Sequence, residues 1–162
     1  MYIVSTKILN HRYDETNGLF DKVQDLELSV IEGEQFGAEI LVDSSGQFVY
    51  GSSRGAGEVL VYKLQDDDTL TKIQTFKLSG REPRSMAIRD NLMAVIDKKG
   101  ASLQLLEIDP NTGMLSGNPD NIYSTPPNPA FVDFWDWETS DGSKHHEGFG
   151  AIITIVLLKF CV

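Results

Sequence analysis

The sequence predicts an all-β fold: a β-propeller fragment of about three four-stranded antiparallel blades in an incomplete ring. Three observations predict it. The first is a repeated apolar run. Gly37-Ala38-Glu39-Ile40-Leu41-Val42 is followed 46 residues later by Pro83-Arg84-Ser85-Met86-Ala87-Ile88, and another 46 later by Pro129-Ala130-Phe131-Val132-Asp133-Phe134. The second is a further series in the same phase. Val59-Leu60-Val61-Tyr62-Lys63-Leu64 matches Leu103-Gln104-Leu105-Leu106-Glu107-Ile108, and the turn Asp66-Asp67-Asp68-Thr69-Leu70 matches Asn111-Thr112-Gly113-Met114-Leu115. Repeats in the forties, built of short strands and polar turns, are what propeller blades produce. The third is local: Val and Ile fill the runs, Gly, Asn or Asp punctuates them, and helical periodicity is weak throughout. A β-sandwich is the competing all-β architecture, and three in-phase copies of one strand disfavour it.

Taken in order, residues 1–25 read as the outer part of a blade without its inner strand. Asp14-Glu15-Thr16-Asn17-Gly18-Leu19 is an earlier copy of the repeated turn. The first full unit has strands at 38–43, 47–53, 58–65 and 71–78, joined by Ser44-Ser45-Gly46, Gly55-Ala56-Gly57 and the acidic turn at 66–69. The second has strands at 84–89, 91–97, 102–109 and a poor one at 121–124. Gly117, Asn118, Pro119 and Asp120 interrupt that fourth strand. Residues 129–134 read as an inner strand without the rest of its blade. The chain thus divides into a partial propeller, 1–134, and an atypical tail, 135–162. The tail ends in an apolar run, 149–162, too short to span a bilayer and carrying Lys159. It reads either as a buried strand covering an open edge or as sequence foreign to the propeller. An isolated arc of blades exposes apolar surface and unpaired strand edges at both ends, so self-association through those edges is expected.

Composition narrows the function. The chain has 162 residues, 41% hydrophobic and 23% charged, which suits one soluble globular domain. Its net charge of −10 argues against a nucleic-acid partner and against an anionic membrane surface. A small anionic substrate is compatible only where local arginines overcome the global field. The single cysteine, Cys161, excludes an intramolecular disulfide. The N-terminus lacks the pattern of a secretory signal, so the expected location is cytoplasmic.

Residues 37–55, reading Gly-Ala-Glu-Ile-Leu-Val-Asp-Ser-Ser-Gly-Gln-Phe-Val-Tyr-Gly-Ser-Ser-Arg-Gly, resemble the recurring A-E-I-x-V-S-P-D-G-R-F-x-Y-x-S-N-R-G segment of the lactonase seven-bladed propellers. Gly80-Arg81-Glu82-Pro83-Arg84-Ser85-Met86-Ala87-Ile88 is similar to that family's G-x-x-P-R-x-F-x-I. Ile108-Asp109-Pro110-Asn111-Thr112-Gly113-Met114-Leu115 is similar to its I-D-P-x-T-G-x-L. The resemblance covers roughly 35–134, with a weaker extension to the start. It is to the C-terminal part of a family that includes 6-phosphogluconolactonases and fungal carboxy-cis,cis-muconate cyclases. The chain departs from the family in three ways. More than half of the ring is absent, and the histidine of the family's active site has no counterpart, since His11 falls on an outer strand. Where the family continues into an Asn-Gln pair, this chain reads Ala94-Val95-Ile96-Asp97-Lys98.

The residues suited to chemistry follow. Glu39 falls on an inner strand, where a propeller's central channel is lined, and a carboxylate there is costly unless paired or wet. The resemblance implies that it is an active-site acid–base group. Arg84 begins the next inner strand and is the second candidate catalytic residue. Arg54, at the Gly-rich turn, and Arg81, on the loop before Pro83, are candidate substrate-binding residues. On a propeller Arg54 and Arg84 are expected near one mouth of the channel, where guanidinium forks suit a carboxylate or phosphate. The parts suit a lactone hydrolase or a cycloisomerase acting on a small anionic sugar lactone or muconate-type lactone. The alternative is a truncated, non-catalytic fragment acting through protein contacts. No cofactor is expected. No metal is expected either, because the His145-His146-Glu147 cluster lacks a third ligand at suitable spacing.

Overall fold

The structure, a computed structural model, describes residues 7–28, 36–135 and 152–156. Its strands are β1 (Lys7–Asp14), β2 (Leu19–Glu27), β3 (Phe36–Val42), β4 (Phe48–Arg54), β5 (Glu58–Leu64), β6 (Leu70–Lys77), β7 (Pro83–Arg89), β8 (Leu92–Asp97), β9 (Ser102–Ile108), β10 (Leu115–Ser116), β11 (Ile122–Ser124), β12 (Phe131–Trp135) and β13 (Ile152–Val156). A 3₁₀ turn, Pro119–Asn121, stands between β10 and β11.

Sequence neighbours are sheet neighbours. The order β3-β4-β5-β6 forms one four-stranded antiparallel sheet, and β7-β8-β9 forms the next, with β10 and β11 sharing the fourth place beside β9. The strand expected at 121–124 is β11, and Leu115–Ser116, where the sequence reading ends a turn, adds a second short piece ahead of it. Pro119 lacks an N–H for the ladder, and the Asn118 side chain accepts from the Asp120 amide at 3.0 Å, which favours a turn over a strand.

Two sheets stacked face to face leave no exposed face on their middle strands. Every residue of β4 but the last is buried, as are the first five of β5. Between the sheets lies one apolar cluster, with Phe48, Tyr50, Val59 and Val61 on one side and Met86, Met93, Val95, Leu106 and Ile108 on the other. Its burial is the main force holding the two blades together.

The hairpin β1–β2 sits on the opposite face of the first full sheet through Ile8, Leu26 and Leu28, which meet Val49, Leu60, Tyr62 and Leu70. Its place within a blade is fixed by a recurring clamp. The Gln74 side chain on β6 donates to the Leu115 carbonyl at 2.9 Å and accepts from the Leu115 amide at 2.7 Å. Gln24 on β2 does the same to Leu70, at 3.3 and 2.8 Å. So β2 relates to the first full blade as β6 relates to the second. The hairpin holds the third and fourth strand positions of a preceding blade.

At the other end β12 packs on the second blade, with Val132 and Phe134 against Ala87, Ala94, Ile96, Leu103 and Leu105. β13 pairs with β12 antiparallel, from Phe131↔Val156 to Trp135↔Ile152. Part of the tail therefore takes the second-strand position beside an inner strand. His145, His146, Glu147 and Cys161 lie outside the described residues. Among the described residues no helix is long and apolar enough to cross a membrane.

Candidate functional site

Glu39 owes its position to an irregularity in β3. The ladder with β4 shifts register between Gly37 and Ile40, which leaves the Glu39 backbone without ladder partners. The buried Ser52 hydroxyl replaces them. It accepts from the Glu39 amide at 3.0 Å and donates to the Glu39 carbonyl at 3.5 Å. The half-buried carboxylate accepts from the Ser85 hydroxyl on β7 at 2.9 Å. Ser85 is only 2% exposed, and its oxygen also lies 3.5 Å from the Val132 amide of β12. One hydroxyl thus links the three inner strands. Sequence reading does not single out Ser85, yet the repeat signals it, since Ser85 stands 46 residues after Glu39.

A second feature lies at the ends of the same strands. Phe36, Arg54, Gly55, Arg81, Glu82 and Lys99 line a cleft of about 590 Å³. The Arg54 guanidinium lies 5.3 Å from the centre of the Phe36 ring and reaches the Gly37 carbonyl at 3.4 Å. Its buried Nε has no hydrogen-bond partner among the described residues. Arg81 is held from the backbone side, its carbonyl accepting from the Gly55 amide at 2.9 Å. Lys99 is positioned by Asp97, whose Oδ1 accepts from the Lys99 and Gly100 amides, both at 2.9 Å. The other oxygen of Asp97 is buried against Gly80, where any Cβ would overlap it. Three cations and one carboxylate make this cleft locally positive in a chain of net charge −10.

The four sequence candidates therefore divide. Arg54 and Arg81 line one cleft, and Arg81, on its connecting loop, belongs to it as fully as Arg54 does. Glu39 lies three residues along β3 from Phe36, about 10 Å by strand rise. Arg84 is exposed, outside the cleft lining, and makes no ion pair with Glu39 among the described residues. The reason is local: Ser85 turns toward β3, and Arg84 sits at the register shift of β7 between Pro83 and Ser85. His11 is exposed on β1, a third-position strand. Among the described residues no group of three or more His, Cys, Asp or Glu stands together as a metal site.

Solved structures share this arrangement of blades. A protein from Lactobacillus plantarum superposes with a TM-score of 0.72 at 24% identity, over 78% of this chain and 38% of its own. A putative 6-phosphogluconolactonase from Bacteroides fragilis gives 0.70 at 22%, over 80% and 36%. The periplasmic gluconolactonase of Pseudomonas aeruginosa gives 0.71 at 18%, over 78% and 36%. The chain spans little more than a third of the length of each. Residues 4–134 match the family model described as lactonase, 7-bladed beta-propeller. Because that match covers most of the sequence, the chain belongs to the lactonase family of seven-bladed β-propellers.

Proposed function

We propose that this chain carries part of a lactone hydrolase site for a small anionic lactone. The observation that carries the reading is the Glu39 carboxylate held at 2.9 Å from the Ser85 hydroxyl between two inner strands, one strand end away from a cationic cleft. Glu39 acts as general base, taking a proton from water as its oxygen attacks the lactone carbonyl. The ring C–O bond then breaks, and the proton passes to the departing alkoxide to leave a hydroxy acid. The Ser85 hydroxyl orients the carboxylate. Arg54, Arg81 and Lys99 hold the substrate's carboxylate or phosphate, Arg54 and Arg81 in bidentate fashion. Arg84, exposed beside Ser85, is the further cation available to the product carboxylate.

The test is lactone hydrolysis by the 162-residue chain beside Glu39→Gln and Arg54→Ala. Glu39→Gln should lower kcat by roughly 10²–10⁴-fold. Arg54→Ala should mainly raise KM, because it removes binding in ground and transition states alike. An active Glu39→Gln chain removes Glu39 from the mechanism. Turnover of a muconate-type acid but of no lactone selects the cycloisomerase reading, and turnover of neither leaves a non-catalytic fragment.

A further inference from the structure

Given the cleft's proposed part in holding the substrate's anionic group, on which this rests, we propose that Asp97 is a positioning residue: its buried carboxylate fixes the turn at 98–101 so that Lys99 stands beside Arg54 and Arg81 for that anion. Three segments meet at the cleft: the tip of the β4–β5 hairpin, the loop from β6 to β7 and the turn from β8 to β9. Backbone hydrogen bonds join them. The Gly55 amide donates to the Arg81 carbonyl at 2.9 Å, the Leu78 amide to the Gly57 carbonyl at 2.9 Å, and the Lys98 amide to the Glu82 carbonyl at 3.0 Å. Hairpin tip and loop approach so closely that a Cβ on Gly57 would lie 2.3 Å from the Gly80 carbonyl oxygen. The backbone carrying Arg54 and Arg81 is thus fixed where the two blades join.

Lys99 depends on its own turn, and that turn is held against its local preference. Ala101 has φ +47°, a left-handed conformation that is costly for a residue with a Cβ. Lys99 and Gly100 are exposed, so apolar burial does not hold the turn. Polar contacts hold it instead. The Thr125 amide donates to the Ala101 carbonyl at 2.8 Å, and Asp97 Oδ1 accepts from the Lys99 and Gly100 amides, both at 2.9 Å. Asp97 is buried, so water competes little for these bonds. Its carboxylate lies between the loop and the turn. A Cβ on Gly80 would overlap Oδ2, and one on Gly100 would lie 3.2 Å from it. Gly80 precedes Arg81 and Gly100 follows Lys99, so one buried carboxylate sets the spacing of two cleft cations. Among the described residues neither Arg81 nor Lys99 forms an ion pair, which leaves both charges available to an incoming anion.

The test is calorimetric binding of inorganic phosphate to the full chain at fixed ionic strength, beside Asp97→Ala, Asp97→Asn, Lys99→Ala and Asp97→Ala/Lys99→Ala. Lys99→Ala should weaken binding roughly tenfold, the effect of one charge-assisted contact. Asp97→Ala should weaken it by a similar factor, yet add little in the Lys99→Ala background, because it acts through Lys99. Asp97→Asn keeps an acceptor for both amides and removes a negative charge from beside the cations, so it should bind at least as tightly as the unaltered chain. A merely structural role lowers the unfolding midpoint of Asp97→Ala but leaves affinity unchanged, and that result overturns the proposal. So does an equal loss in both backgrounds, or an Asn variant as weak as the Ala one. An unaltered chain that takes up no phosphate removes the cleft reading and the proposal together, whereas the other failures leave the cleft reading in place. Hydrogen exchange of the unaltered chain needs no variant to fold. Saturating phosphate should slow the Lys99 and Gly100 amides by up to the same roughly tenfold, the limit set by the affinity difference between closed and open turns. The Asn111 and Thr112 amides, held in the same way by Asp109 in a turn outside the cleft, should not respond. Phosphate that binds without slowing Lys99 and Gly100 overturns the proposal.

Discussion

Gly113 carries three separate demands at one residue. Its φ is +70°, its carbonyl accepts from the buried Tyr50 hydroxyl at 3.0 Å, and any Cβ there would overlap the Phe48 ring of the neighbouring blade. Gly18, at the same phase of the first turn, has φ +73° but open space around it. Gly18→Ala should cost only the backbone term, about 1 kcal/mol. Gly113→Ala should cost that and the overlap, about 3 kcal/mol together, read as the difference in urea midpoints. Tyr50 adds a pH dependence at the same contact. Burial, and after it the negative charge of Asp43, push its pKa from 10.0 up to about 12. A raised tyrosine value favours the neutral form in the folded chain, so this stability is present below pH 10 and lost as pH rises toward 12. Tyr62 is shifted the same way by burial. Tyr50→Phe should cost about 1 kcal/mol at neutral pH and shallow the alkaline loss, measured by denaturation at pH 9 and 11. At this scale the sequence shows the repeated Gly113 turn but not its partners, because Phe48 and Tyr50 lie on another blade. Ser85 escapes for a related reason: a lone serine has no chemistry until Glu39 is placed opposite it.

Elements are more legible than side chains. The strands of both full blades fall within one or two residues of their expected bounds, because period-2 patterning and turn residues are local signals. The interruption before the fourth strand is legible too, since Gly117 and Pro119 are incompatible with a regular ladder, but its first piece, Leu115–Ser116, is not, because those residues read as the end of a turn. The glutamine clamp is not. Gln24 and Gln74 are ordinary polar residues on mostly exposed strands, and only the next blade's turn gives each a function. The cleft escapes for the same reason, being assembled from a strand start, a hairpin tip and a loop. Asp97 shows the distinction well. In the sequence it is only a departure from an Asn-Gln pair, whereas in the fold its carboxylate closes the turn that presents Lys99.

At the scale of the whole molecule, stability should follow the distribution of interfaces, because stacked units owe their cooperativity to nearest-neighbour contacts. The two full blades share the largest apolar cluster, and β4 and β8 lie at its centre. The hairpin β1–β2 is attached through one face, by Ile8, Leu26, Leu28 and a few polar contacts, and is mostly exposed elsewhere. Native-state hydrogen exchange should therefore show the amides of β4 and β8 opening at one common free energy, the global one, and those of β1 and β2 at a lower one. Equal protection of all four strands at low concentration would mean that the hairpin is locked by more than these contacts.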